Sequence, residues 1–63
     1  MNAFTHDELT EGIERLAMMH GSISSLGHVA QSYGAIEMAD RAREAADAID
    51  RLMAALSKAK GNA

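Results

Sequence analysis

The sequence holds no cysteine, no proline and no tryptophan. Without cysteine there is no disulfide framework and no thiolate metal centre. Without proline, no ring-locked residue interrupts a helix. One Phe and one Tyr, Phe4 and Tyr33, are the whole aromatic complement, so no aromatic core is possible. β-Branched residues are scarce, with Val29 the single valine, and strands favour that class. No apolar run approaches the roughly 18 residues of a membrane span. The opening "MNAFTHDELTEG" turns polar and acidic after four residues, unlike a signal or targeting segment. These absences leave a soluble, cytoplasmic, all-α chain as the expectation.

Size sets the next bound. Sixty-three residues make one domain at most, 1–63, with ends expected to fray over 1–4 and 60–63. A chain this short buries too little surface to be robust alone. Disulfides, a metal or a partner chain are the usual remedies, and here a partner chain is the one left. A homodimer or higher homo-oligomer is therefore expected. The net charge of −3 disfavours nucleic acid as a partner, because phosphate binding needs concentrated Lys and Arg.

What is present points to two helices. "FTHDEL" places Thr5 as an N-cap with Glu8 three residues on, a capping box. Phe4 and Leu9 take the positions of a hydrophobic staple. Asp7, Glu8 and Glu11 put negative charge at the positive end of the dipole. From there the positions Leu9, Ile13, Leu16, His20, Ile23, Gly27 and Ala30 recur at alternating steps of four and three. That unbroken heptad seam predicts one helix over about 6–32. Met19, Leu26 and Val29 widen its apolar stripe on one side.

"SYGAI" predicts the turn, with Gly34 in a left-handed C′ position and Ile36 folding back on the helix end. A second helix follows over about 35–59. Its seam is Ala35, Ala39, Ala42, Ala46, Ile49, Met53 and Leu56, flanked by Ala45, Leu52 and Ala59. Opposite charges at Glu37–Arg41, Arg43–Asp47 and Asp47–Arg51 stand four apart and favour helix. Equal helix lengths and a short turn give an antiparallel hairpin. Two hairpins forming a four-helix bundle, or a similar homo-oligomer, would cover both seams.

One stretch runs against helix propensity. "MMHGSISSLGHVAQSYG", Met18 to Gly34, carries three glycines and four serines, and each interior glycine costs up to about 1 kcal/mol against alanine. Close backbone approach beside the turn explains it, since Ala35, Ala39, Ala42 and Ala46 lie opposite in a hairpin. A polar concavity for a small molecule is the other explanation. Ser24, Ser25, His28 and Gln31 would converge there, between chains.

No catalytic, cofactor or metal signature appears. His20 and His28 are eight residues apart, roughly 12 Å along a helix, too far to share one metal within a chain. Neither E-x-x-H nor H-E-x-x-H occurs. The serines near these histidines lack a pocket in which a nucleophile and base would be held. The expected function is accordingly non-enzymatic: an interaction protein that occupies a partner protein's surface, of the inhibitor, antitoxin, adaptor or virus-encoded blocker type. Candidate contacts are Met18 and Met19, adaptable side chains suited to irregular surfaces, and Tyr33 beside the turn. The acidic row Glu37, Asp40, Glu44, Asp47 and Asp50 is a further candidate. Two alternatives stand beside this one. An oligomer would sequester a small ligand or nucleotide through Ser24, Ser25, His28 and Gln31, or a hairpin dimer would bind RNA through Arg15, Arg41, Arg43 and Arg51.

Overall fold

In a computed structural model of the chain, residues 4–62 are described. They form two helices, α1 over His6–Ser32 and α2 over Ile36–Gly61, packed along each other as a hairpin. The start of α1 follows from its cap. The Thr5 hydroxyl oxygen accepts from the Glu8 amide at 3.1 Å, and the Glu8 carboxylate accepts from the Thr5 amide at 2.8 Å. Two orphan donors are thereby satisfied at once. Leu9 is buried, whereas Phe4, at the staple position, stays 59% exposed.

The turn is a Schellman motif. Tyr33 is the C-cap and Gly34 follows at φ 76°, the left-handed region where a Cβ is strained. The Ala35 amide donates to the Ala30 carbonyl at 2.9 Å, and the Gly34 amide donates to the Gln31 carbonyl at 3.0 Å. Ala35, not Ile36, therefore takes the position that packs back against the helix. Ile36 begins α2 instead and is 60% exposed. α2 has no side-chain N-cap, and it runs on through Lys60 and Gly61, past the expected end at 59. Lys58 and Lys60 sit in its last turn, where cations favour the dipole. The fraying expected at 1–3 and 63 falls outside the described residues.

Both heptad seams face inward. Every seam position of the two helices is buried or half-buried. Leu9, Ala30, Ala39, Ala42 and Ala46 form the buried core. Four of those five are alanines, so little apolar area is withdrawn from water by each. Facing residues keep one register along the whole length. Gly12 faces Leu56, His20 faces Asp50, and Gly27 faces Ala42.

Gly27 is where the backbones come closest. A Cβ there would stand 3.2 Å from the Cβ of Ala42 and 3.9 Å from the Ala39 carbonyl oxygen. Gly21, in the same stretch, would meet nothing within 4 Å. Close approach thus accounts for Gly27 but not for Gly21. At the open end, Gly12 lies under Leu56, where a Cβ would stand 3.4 Å from a methyl carbon.

The hairpin is a rod of 44 × 17 × 16 Å with a radius of gyration of 14.3 Å. A compact domain of this length would measure about 11 Å. Its accessible surface is 4817 Å², against about 3,900 Å² for a compact monomer of the same mass. The difference is about 900 Å² by that scaling.

Candidate functional site

The two broad sides differ in chemistry. On one side, His20 Nε2 of α1 lies 3.3 Å from Asp50 Oδ2 of α2. The contact is a hydrogen bond with neutral imidazole and an ion pair with imidazolium. Towards the turn, the same side carries a shallow cleft of about 130 Å³. Its floor is Gly27, Ala39, Ala42 and Ala46, where side chains are too small to fill the space between the helices. Its rim is polar: Ser24, His28 and Gln31 from α1 and Arg43 from α2. The Arg43 guanidinium also reaches Asp40 at 3.5 Å.

The opposite side is apolar. At about 100° per residue, Met19, Leu26 and Tyr33 form a second heptad row on α1, about 90° around from its seam. Met38, Ala45 and Leu52 form one on α2, about 80° around from its own seam. In an antiparallel pair both offsets turn towards the same side, opposite His20 and Asp50. Met19, Leu26, Met38 and Leu52 are each half-exposed or more, and Tyr33 is 85% exposed. The two rows run level: Tyr33 beside Met38, Leu26 beside Ala45, Met19 beside Leu52. Apolar side chains left in water on one side of both helices mark a surface that gains by being covered.

The residues expected to contact a partner do not form one site. Met18 points away from α2 and is 74% exposed, and with Arg15, Met19 and Ser22 it borders an open apolar depression. Met19 and Tyr33 belong to the apolar side. Glu37, Asp40, Glu44 and Asp47 lie on the outer surface of α2 and are exposed. Their row is interrupted by arginines, with Arg41 3.1 Å from Glu44 and Arg43 3.5 Å from Asp40. These pairs span three residues. They replace the i,i+4 pairs expected at Glu37–Arg41 and Arg43–Asp47, and the pair expected at Asp47–Arg51 does not form. Arg15 bonds Glu11 at 2.7 Å across one helical turn, so three of the four arginines considered for RNA have carboxylate partners.

Of the residues considered for a small ligand, Ser24, His28 and Gln31 share the cleft, while Ser25 lies on the outer side of α1. Those three belong to the groove between the two helices of one chain. Arg43 is the residue that sequence reasoning did not place there, and its register opposite Ser24 and His28 was the available signal. The Ser32 hydroxyl donates to the His28 carbonyl at 3.0 Å and is thereby occupied within the helix. Among the described residues, no three His, Asp or Glu side chains group closely enough to hold a metal ion, and no helix is long and apolar enough to cross a membrane. No protein-family model, curated protein or solved structure matches the chain.

Proposed function

We propose that this is a non-enzymatic interaction protein that completes its fold by self-association into a four-helix bundle and acts by occupying a partner protein's surface. The supporting observation is the apolar side. Each helix carries two heptad rows roughly a quarter-turn apart, which is what a helix with two helical neighbours needs. The hairpin itself supplies only one neighbour per helix. Met18, outside both rows, stays on the surface of such a bundle and offers the adaptable contact that a partner would use.

A second reading rests on the cleft. Ser24, His28, Gln31 and Arg43 present hydroxyl, imidazole, amide and guanidinium groups to one small space, a set suited to a small polar ligand. Native mass spectrometry of the protein purified gently from its own cells separates the two. An oligomer without added small mass, or one carrying a protein, is expected. A retained small mass would move the assignment to the cleft. A bare monomer at micromolar concentration would overturn the interaction reading.

A further inference from the structure

The lining of the cleft carries charge of one sign. We propose that the cleft holds a single phosphoryl group, free or at the end of a larger molecule, gripped by Arg43 with Ser24, His28 and Gln31. This rests on the cleft reading above and names the class of ligand. The cleft lies on the side away from the apolar rows, so it stays open when those rows are covered.

Three observations carry it. The first is the charge of the lining. The chain has nine acidic residues against six lysines and arginines. Even so, no carboxylate lines the cleft, and its one charged residue is Arg43. A guanidinium has N–H donors and no acceptor, in a fork that fits two oxygens of one phosphoryl group. The Ser24 hydroxyl, the Gln31 amide and the His28 imidazole can each donate as well.

The second is that these donors are not engaged elsewhere. The hydroxyls of Thr10 and Ser32 turn back onto the carbonyls of His6 and His28, a common arrangement within a helix. The Ser24 hydroxyl does not. Among the described residues, the Gln31 amide and the His28 ring have no hydrogen-bond partner either. Arg43 reaches Asp40 through Nη1 alone, at 3.5 Å, the longest of the ion pairs. The rest of its fork is free.

The third is size. Pockets for whole drug-sized ligands run to about 300–1,000 Å³. A space of about 130 Å³ takes one compact group. A phosphoryl group has oxygens enough for all four side chains, and a carboxylate has only two. The floor of Gly27 and alanines is apolar, so charge is screened less there than on open surface. Asp40 is the competitor for Arg43, and Asp47, one turn further along α2, adds to the repulsion of an anion.

The test is an NMR titration of the isotope-labelled full chain at constant ionic strength. Inorganic phosphate is one probe and adenosine monophosphate the other. Saturable shifts of the Ser24, Gly27 and His28 amides are expected. Arg43→Gln should weaken binding by at least about tenfold, because it removes a charge-assisted pair of hydrogen bonds. Arg43 is 65% exposed, so the variant should keep its helicity, which circular dichroism checks. Asp40→Asn should tighten binding about two- to fivefold, by releasing the guanidinium from an exposed ion pair.

These three results together support the assignment. Tighter binding of adenosine monophosphate identifies a phosphoryl group on a larger molecule, and tighter binding of the free ion identifies inorganic phosphate. Shifts that do not saturate, or that survive Arg43→Gln, overturn the assignment. Native mass spectrometry of the protein from its own cells then separates two failures. A retained small molecule without a phosphoryl group overturns the ligand class and leaves the cleft a site. No retained small mass overturns the cleft reading as well.

Discussion

At the scale of single residues, the glycines of α1 do different work although they share one stretch. Gly27 has Ala42 against it at 3.2 Å, whereas Gly21 faces open space. Gly27→Leu must push the helices apart and is expected to cost about 1–3 kcal/mol. Gly21→Ala adds a methyl group in free space, removes backbone freedom from the unfolded chain, and should gain about 0.5–1 kcal/mol. Urea denaturation followed by circular dichroism checks both. Equal effects at the two positions would refute the distinction. The His20–Asp50 contact is a further test at this scale. Both side chains are substantially solvated, so a double-mutant cycle with alanines should return a coupling below about 1 kcal/mol. That His20 sits on the inward seam was legible from the heptad. Its partner was not, because Asp50 is one residue beyond the seam position Ile49.

At the scale of the elements, the ends of the helices decide the hairpin. Thr5→Ala removes one half of the capping box and should cost about 1 kcal/mol. Gly34→Ala forces a Cβ into the left-handed region and should cost roughly as much or somewhat more. Thermal melts of both variants check these values, at about 4–8 °C per kcal/mol for a domain of this size. The extent of α1 was readable from Thr5, Glu8 and the unbroken seam, because capping and periodicity agree there. The turn was readable to within one residue. Gly34 is the left-handed C′ residue as expected, but the next residue, Ala35, takes the fold-back position and Ile36 lies in solvent. The end of α2 was less readable, because Lys60 continues the helix and Gly61 does not stop it. Charge pairs were the least legible feature. Arg41 and Arg43 each have acids at several neighbouring turns, and sequence spacing alone does not choose among rotamers.

At the scale of the whole molecule, the core is thin. Five of the described residues are buried, four of them alanine, so under the proposed self-association the covering of the second rows carries much of the stability. The melting temperature should therefore rise with protein concentration, as for any fold linked to association. Leu26→Glu should abolish that dependence and lower the melting temperature; dilution series by calorimetry make the comparison. The second rows were only half legible. Met19, Leu26, Ala45 and Leu52 stood in the sequence as flanks of one broad stripe. Only the packed hairpin shows that α1 and α2 cover the seam and leave these flanks in water. The candidate cleft was read on α1 alone, although the register of the hairpin sets Arg43 level with His28 and could have added it. The constant register between Gly12–Leu56, His20–Asp50 and Gly27–Ala42 also governs how the rod comes apart. Its two described ends leave from the same tip, so tension applied there loads one rung at a time. The outermost rungs, from Leu9 to the Gly12–Leu56 contact, carry the force first and the Gly34 turn carries it last. Pulled by its ends, this molecule peels like a zip at low force, whereas the same two helices pulled lengthwise past each other would resist with every rung together.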